Sequence, residues 1–438
     1  MRSTHPIYQT IRKIILNVFL AALSCFPGSF AFAKAQGTGD QVIIRGDVEI
    51  FTVMDDWAGG EGGVELAVQQ WGSLLGHSIK VHPLGAGCEF GLTPQDVDRF
   101  VRQNNPLIII GPSCSHTAFD IAKPLSDRKV LTISPSATDA NLTGGSSYLS
   151  HPFFFRTAPN DRNEGRIGAQ WANEYLKASS AGIFYMDPDP EIFPELFHQM
   201  PLRLKDQFKE NFSGSLKEDS MIAIPEPFIF EESIQLFEAG LVQMEQNEQK
   251  LGLVVNYAYH ENVNFDEGGM VALQHVLQGR IPVLSSEGLI HGAGLVYYYI
   301  LEVFHESLPK DMYATGTYFS GGPLYKNFLA AFTSFTGEGP TRFNRYASLA
   351  YDATNLALRA LSRVAAPDDK GNLVVSRAAL LKALTDSRNY IPPVKGAAAV
   401  YHAPQDGDFN PEGYAVFKAM EEDVASPDEA NFLLVWSP

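Results

Sequence analysis

Short apolar segments alternate with amphipathic segments along most of this chain. Leu107–Ile110 is apolar throughout and Val130–Ile133 is nearly so, which is typical of strands buried on both faces of a parallel sheet. Between them, Thr117–Leu125 has the apolar spacing of a helix that packs on one side. The alternation therefore predicts successive βα units, and so an α/β fold with a mainly parallel sheet covered by helices.

The same pattern continues on both sides of this unit. Further strands are expected at Val48–Val53, Ile79–Leu84, Ala181–Tyr185, Leu251–Asn256 and Ile281–Leu284. Further helices are expected at 64–75, Pro94–Val101, Glu164–Leu176, 193–208 and Asp266–Leu277.

The length of the chain favours two lobes. A run of βα units over 438 residues exceeds one doubly wound domain, so two similar Rossmann-like lobes are expected. The first lobe is expected to contain 41–157 and 317–396, and the second 158–316 and 397–425. The candidate crossings between the lobes are three extended segments, Arg156–Pro159, Ala314–Phe319 and Val394–Ala399.

The N-terminus has the features of an export signal. Basic residues precede the largely apolar segment Ile14–Ser24, and the Ala-Phe-Ala sequence at 31–33 fits a small-x-small cleavage site. Residues 1–33 are therefore expected to be a signal peptide, which places the mature protein in the periplasm. The alternative is a lipoprotein anchored at Cys25, since the residues before it resemble a lipobox.

Charge and motif content argue against several functional classes. A formal net charge of −17 disfavours nucleic acid and anionic membrane surfaces as partners. The chain has no His-Glu-x-x-His sequence, and Gly59–Gly63 lacks the Lys-Ser/Thr of a phosphate-binding loop. Gly111–Ser115 has the context of a hydrolase nucleophile elbow without its final glycine. We expect no catalysis, no metal and no cofactor; an atypical hydrolase built on this turn is the weaker alternative.

Two cysteines remain after removal of the signal peptide. Cys88 and Cys114 each follow the end of an expected strand, and neighbouring strand ends make a bridge between them plausible. Two buried free thiols are the alternative.

Small hydroxyl residues follow two successive expected strands. Ser115 comes after Leu107–Ile110, and Ser136 and Thr138 come after Val130–Ile133. Ligands in open α/β sheets bind at strand ends, and backbone N–H groups at a helix start favour anions such as carboxylates. Ser115 could equally be a simple N-cap, and the other two residues could simply stabilise a turn.

Four stretches of sequence resemble a known family. They read IIIGPSCSHTAFDIAKPLSDRKVLTISPSATDANLT (108–143), FFFRTAPNDRNEGRIGAQWANEYL (153–176), VLSSEGL (283–289) and YASLAYDATNLALRAL (346–361). They resemble the Leu/Ile/Val-binding family of type I periplasmic binding proteins, which are soluble receptors of branched-chain amino acid ABC importers. The resemblance extends loosely over most of the chain, but residues 185–250 do not align.

The resemblance implies a fold, a bridge and a function. It implies two Rossmann-like lobes, three crossover segments, a ligand cleft between the lobes and a Cys88–Cys114 disulfide. It also implies a transport role, in which an amino acid or related small molecule is delivered to a membrane permease. A ligand-sensing regulatory protein of the same fold is the alternative.

The resemblance assigns roles to individual residues as well. Ser115 and Thr138 would bind the ligand carboxylate, and Ser136 would offer its carbonyl oxygen to the ligand ammonium, with Ala137 beside it. Glu287 would pair with the ammonium, because a buried ammonium without a partner is costly. Tyr257 would contact the ligand unless it is a core tyrosine. Trp57 would either line the side-chain pocket or cap the lobe.

The chain departs from the family pattern in the first βα loop. Asp55–Gly63 is acidic and lacks the usual Pro-x-Thr-Gly stretch. Since this loop helps to shape the side-chain pocket, a branched-chain amino acid is only one of the candidate ligands. Other amino acids, amides, and aromatic or carboxylate compounds stay open.

Overall fold

The structure is a computed structural model of the 438-residue chain. It describes residues 39–54, 60–85, 87–88, 92–144, 151–187, 195–224, 230–248, 250–257, 266–287, 311–318, 323–337, 346–385, 394–395, 400–401, 407–409, 413–419 and 432–438. The expected signal peptide, Cys25 and Trp57 lie outside the described residues.

A six-stranded sheet forms the first lobe. In spatial order its strands are β3 (Ser73–Leu74), β4 (His77–Pro83), β2 (Val48–Thr52), β5 (Ile108–Ile110), β6 (Leu131–Ser134) and β7 (Phe154–Arg156). All neighbouring pairs are parallel except the short β3–β4 hairpin.

Helices cover this sheet. They are α1 (Gly60–Trp71), α2 (Pro94–Asn104), α3 (Ser115–Asp127), α9 (Ala347–Val364) and α10 (Arg377–Thr385). Helix α2 begins in a capping box, in which Thr93 and Asp96 satisfy each other's backbone N–H groups. Helix α9 lies against α1, where a Cβ atom on Gly63 would come within 2.0 Å of the Ala347 carbonyl oxygen. Glycine at this position is what allows the two helices to approach so closely.

A small antiparallel sheet extends the first lobe. Its strands are β1 (Gln41–Ile44), β14 (Leu373–Ser376) and β13 (Ala366–Pro367). Val42 and Val375 belong to the same core cluster as Ile50 and Leu361. The small sheet therefore shares one hydrophobic core with the six-stranded sheet and its helices.

A seven-stranded sheet forms the second lobe. Its order is β18 (Phe432–Trp436), β17 (Tyr414–Ala419), β12 (Met312–Thr317), β11 (Val283–Ser285), β10 (Val254–Tyr257), β8 (Gly182–Met186) and β9 (Met221–Ile224). The strands from β12 to β9 are parallel, and β17 and β18 add antiparallel at one edge.

The helices of this lobe follow the expected βα order. They are α4 (Glu164–Trp171), α5 (Glu195–Asn211), α6 (Phe230–Asn247) and α7 (Asp266–Leu277). Helix α4 continues into one π-helical turn at Ala172–Leu176. Helix α8 (Pro323–Thr336) packs beside α1 of the first lobe.

Most expected strands and helices are confirmed within a few residues. Strand β9 and helix α6 lie in the region 185–250 that does not align with the family. The segment 225–232, which has the composition of a surface loop, overlaps the first turn of α6 at Phe230. Among the described residues, no helix combines the length and apolar character needed to cross a bilayer.

The chain crosses between the sheets at places that differ in part from the expected segments. The first crossing follows Arg156, as expected. The second follows Thr317, because Ala314–Thr317 is still strand β12. Tyr401 and Phe409 pack in the core of the first lobe, whereas Tyr414 starts a strand of the second sheet. The third crossing therefore comes later than 394–399.

Candidate ligand-binding site

Two loops at the carboxyl ends of β5 and β6 are hydrogen-bonded to each other. The first loop is 111–114, after β5, and the second loop is 135–140, after β6. The Ser134 hydroxyl donates to the Pro112 carbonyl oxygen at 2.8 Å, and the Ser136 hydroxyl donates to the Ser113 carbonyl oxygen at 2.8 Å. Gly111 has φ +124, and a Cβ there would come within 2.4 Å of the Val53 carbonyl oxygen. A glycine is required at the start of the first loop for both reasons.

Ser115 connects the start of α3 to the second loop. Its hydroxyl oxygen accepts a hydrogen bond from the Asp139 N–H at 3.2 Å, and the residue is buried. The N-cap of this helix is Cys114, whose side chain makes no capping hydrogen bond. The dipole at this end of α3 favours an anion.

The predicted disulfide is present and lies beside Ser115. Cys88 and Cys114 are bonded, with their Cα atoms 4.9 Å apart. The Cys114 N–H also donates to the Gly87 carbonyl oxygen at 3.0 Å, and His116 Nε2 lies 2.8 Å from the Cys88 carbonyl oxygen. The bridge thus holds the loop after β4 against the first turn of α3.

A fully buried arginine is hydrogen-bonded to the backbone of the second loop. Arg156 donates to the carbonyl oxygens of Ala137 at 3.2 Å and Asp139 at 2.8 Å. It also donates to Thr143 Oγ1 at 2.6 Å and to Asp408 Oδ1 at 2.5 Å. Since Ala137 and Asp139 flank Thr138, Arg156 fixes the backbone at the predicted carboxylate site.

Asp161 joins the second loop to the second lobe. Its backbone N–H donates to the Thr138 carbonyl oxygen at 3.1 Å, and its carboxylate Oδ1 accepts from the Tyr414 hydroxyl at 2.9 Å. Burial, aided by the charge of Asp139, raises the pKa of Asp161 to about 6 against the opposing effect of Arg156. The group is fully buried at the junction between the lobes.

Glu164 lies one helical turn further along the chain. Its Oε1 atom accepts hydrogen bonds from the Glu287 N–H at 2.8 Å and from Thr315 Oγ1 at 2.5 Å. Its Oε2 atom is buried and has no hydrogen-bond partner. Burial raises the pKa of Glu164 well above its usual range, and the nearby charges of Asp161 and Glu287 raise it further.

Glu287 follows β11 at the edge of the second sheet. Its Oε1 atom accepts from the Thr317 N–H at 2.9 Å and from the Thr317 hydroxyl at 2.6 Å. The side chain is almost wholly buried. These contacts bring the predicted ammonium partner beside Glu164, at the same sheet edge from which Tyr257 also projects.

Tyr257 lies in the core of the second lobe. The residue is fully buried, and its ring packs edge-on against Phe208 with the ring centroids 6.4 Å apart. Its hydroxyl has no hydrogen-bond partner and would lie 3.2 Å from a Cβ atom on Gly168, one turn after Glu164. Burial and the charge of Glu164 raise the pKa of Tyr257 well above its usual range. The environment is that of a core tyrosine whose polar end faces Glu164.

One ion pair links helix α5 to the second loop. Arg203 Nη1 lies 3.8 Å from Asp139 Oδ1, which is longer than a hydrogen bond. Both terminal nitrogens of Arg203 are buried and lack hydrogen-bond partners. Burial raises the pKa of Asp139, and the charge of Arg203 partly opposes that rise.

The structure brings most of the predicted site residues into one connected region. Ser115, Ser136, Ala137 and Thr138 lie together on two tied loops. Glu287 connects to them through Glu164 and Asp161, neither of which the sequence reasoning identified as a site residue. Both residues come directly after the first crossing. Two acidic residues immediately after a crossing between lobes were the feature of the sequence that could have identified them. In the described part of the chain, no group of His, Cys, Asp and Glu residues is arranged to hold a metal ion.

Comparisons with known proteins match this architecture. A family model described as the receptor family ligand binding region matches residues 62–175. The isoleucine complex of LivJ, the branched-chain amino acid transporter substrate-binding protein of Streptococcus pneumoniae, superimposes with a TM-score of 0.61. The match covers 89% of this chain and 100% of that one at 17% identity. The chain has the type I periplasmic binding protein fold.

Two further structures share the type I periplasmic binding protein fold with this chain. An ABC transporter substrate-binding protein from Desulfitobacterium hafniense, complexed with Leu, has a TM-score of 0.63 at 16% identity, covering 88% of this chain and 100% of that one. A solute-binding protein from R. palustris, complexed with 4-hydroxybenzoate, has a TM-score of 0.63 at 12% identity, covering 89% and 96%. No curated protein sequence gives a significant match. The predicted resemblance is thus confirmed at the level of the fold.

Proposed function

We propose that the protein is the extracytoplasmic solute-binding component of an ABC importer. It binds an amino acid or an amino-acid-like small molecule between its two lobes and delivers it to a membrane permease. Solved proteins of the same fold bind ligands as different as leucine and 4-hydroxybenzoate, so the fold supports a binding role while the site must define the ligand.

The observation that carries this proposal is a series of neighbouring groups that runs from the first-lobe loops into the second lobe. The Thr138 carbonyl oxygen accepts from the Asp161 N–H, and Glu164 accepts from the Glu287 N–H. Asp161 lies three residues before Glu164, and its charge raises the pKa of Glu164. This series supports the assignment of the first-lobe loops and Glu287 to one site.

The first-lobe loops suit the acid end of a zwitterion. The Ser115 hydroxyl and the N-terminal end of α3 suit a carboxylate. Thr138 supplies a further donor from the neighbouring loop, and the Ser136 carbonyl oxygen serves as an acceptor for the ammonium. The Ala137 carbonyl oxygen is already bonded to Arg156, so Ala137 contributes by shape.

Glu287 suits the basic end. Its backbone N–H and one carboxylate oxygen are held by Glu164 and Thr317, which fixes the direction of the side chain. A buried carboxylate of fixed geometry forms strong charge-assisted hydrogen bonds with an ammonium group. Ligand contacts from both lobes would then favour the closed form of the cleft over the open one.

Isothermal titration calorimetry on the purified chain tests this function. The panel contains amino acids, their amides and hydroxybenzoates, with thermal unfolding as a control for folding. Binding of an amine-bearing member, and its loss in Glu287→Gln, are expected. A cooperatively folded protein that binds no member of the panel would refute the proposal.

A further inference from the structure

The second-lobe side of the candidate site is unusually rich in carboxyl groups. Asp161, Glu164 and Glu287 come from three different elements, and within the described residues none of them forms a salt bridge. Arg156, whose charge acts on Asp161, is held by Asp408 through its Nε and Nη2 atoms. The other arginine of the region, Arg203, lies beside Asp139 on the first-lobe loop. The carboxyl groups at this place therefore outnumber the arginine side chains beside them.

Two buried polar atoms at this place also lack partners. Glu164 Oε2 and the Tyr257 hydroxyl are both unpartnered, and both residues are fully buried. Native proteins rarely leave such atoms unsatisfied, because each costs the full desolvation of the group. The Tyr257 hydroxyl would lie 3.2 Å from a Cβ atom on Gly168, one helical turn after Glu164, and Glu164 itself accepts from the Glu287 N–H. This geometry gathers the two unpartnered atoms at one acceptor-rich position beside Glu287.

We propose, building on the proposed function, that the ligand carries two cationic nitrogens. The α-ammonium binds Glu287, and the second nitrogen binds at Glu164 Oε2 and the Tyr257 hydroxyl. The ligand class is a diamino or guanidino carboxylate. Ammonium and guanidinium groups are donors without acceptors, which is the complement of a position that offers acceptors and negative charge.

A ligand with a single ammonium would leave this position uncompensated. Glu287 and Glu164 would then share one positive charge in a desolvated environment, where an unpaired carboxylate is costly.

The surroundings of Glu164 also favour a second cation. Glu164 faces Asp161 from the crossing, Glu287 from the β11 end, Tyr257 from β10 and Tyr414 from β17. None of these neighbours is a cation. Burial and the charges of Asp161 and Glu287 raise the pKa of Glu164, and a cation at its Oε2 atom would oppose both effects.

Calorimetry with matched ligand pairs tests the inference on the full chain. 2,4-Diaminobutyrate is compared with norvaline, and ornithine with norleucine, so that each pair differs by an ammonium replaced with a methyl group. The better diamino ligand is expected to bind at least about tenfold more tightly than its partner.

The isosteric variant Glu164→Gln provides the matched control. It removes the negative charge and is expected to reduce the preference for the diamino member of each pair at least about tenfold, whatever its effect on the affinity common to both members. Tyr257→Phe retains the carboxyl and is expected to reduce this preference less. The ligand pairs measured on the unmodified chain test the inference independently of whether either variant folds.

The outcomes separate the two proposals. Binding of norvaline and norleucine that equals or exceeds that of their diamino partners would overturn the inference and leave the binding function standing. Absence of binding by every amine-bearing compound to the folded protein would overturn both.

Discussion

The backbone N–H of Glu287 donates a 2.8 Å hydrogen bond to the Glu164 side chain, which joins the end of β11 to the first turn of α4. Glu164 thus positions Glu287. Because Thr317 holds the Glu287 carboxylate from the opposite side, the candidate ammonium partner is fixed at two points. Such prior positioning reduces the entropy lost when a ligand binds.

Replacement of Glu287 by glutamine should remove most of the affinity for an amine-bearing ligand. The loss of a buried charge-assisted contact is expected to cost about 2–4 kcal/mol of binding free energy. Titration calorimetry measures the loss, and thermal unfolding serves as the folding control. Thr317→Val offers a comparison, because it removes the hydroxyl that orients Glu287 while keeping the charge, and so should weaken binding less. Undiminished affinity in Glu287→Gln would show that another group binds the ammonium.

Replacement of Ser115 by alanine should weaken binding of the ligand carboxylate by about tenfold. The hydroxyl is expected to contact the ligand and also accepts from the Asp139 N–H. Ser134→Ala is the matched control, because this hydroxyl is bonded wholly within the loops, to Pro112 and Ala137. That variant should lower the free energy of unfolding by about 1–3 kcal/mol. The assignment of Ser115 fails if the methyl ester of the ligand shows the same loss in Ser115→Ala.

Removal of the disulfide should destabilise the first lobe. The bridge closes a loop with a sequence separation of 26, for which chain entropy predicts a contribution of about 3–4 kcal/mol. Urea unfolding of Cys88→Ser/Cys114→Ser against the oxidised chain measures the difference. Ligand affinity should also fall, since the bridge lies directly before Ser115. Equal unfolding midpoints would show that the loop is held by its hydrogen bonds alone.

Replacement of Arg156 by methionine should cost about 3–5 kcal/mol of unfolding free energy, because it leaves the Asp408 charge buried without its partner. The double variant Arg156→Met/Asp408→Asn should recover part of this loss, and urea unfolding of all four chains forms a double-mutant cycle. A strictly additive cycle would contradict the coupling that the structure indicates.

The stability of the protein should increase as pH falls through the range in which Asp161 titrates. Its folded pKa, about 6, lies above the ordinary value of 3.8, so the folded state binds the proton more tightly than the unfolded state. Unfolding free energy attributable to this group therefore rises between about pH 7 and pH 4, by up to about 3 kcal/mol. Asp161→Asn removes the dependence and should be the more stable chain at pH 7.5. Parallel pH profiles for the two chains would argue against the raised pKa.

The strand pattern could be predicted from the sequence because both faces of the first sheet are covered. Ile108 and Ile110 pack in one core cluster and Ile109 packs in another on the opposite face, so the segment must be apolar at every position. The loops that follow such strands carry the hydroxyl residues, and their position at the strand ends follows from parallel topology.

The second-lobe part of the candidate site was harder to predict. A glutamate in the first turn of a helix normally complements the helix dipole at the surface, and nothing local distinguishes Glu164 from that case. Its burial arises from Thr315 and Glu287, which are more than 120 residues away along the chain. The third crossing was misplaced for a similar reason, since the packing of Tyr401 and Phe409 in the first lobe is a tertiary feature.

The contacts of Arg156 also constrain how the lobes can move. Its N–H donates to the Gly407 carbonyl oxygen at 3.1 Å, and its own carbonyl oxygen accepts from the Phe409 N–H at 3.2 Å. Strand β7, which leads into the first crossing, is therefore held by backbone and side-chain hydrogen bonds to the segment 407–409, which leads into the third. Two connections clamped in this way cannot slide past each other, so opening of the cleft should be a hinge rotation about this point rather than a shearing translation.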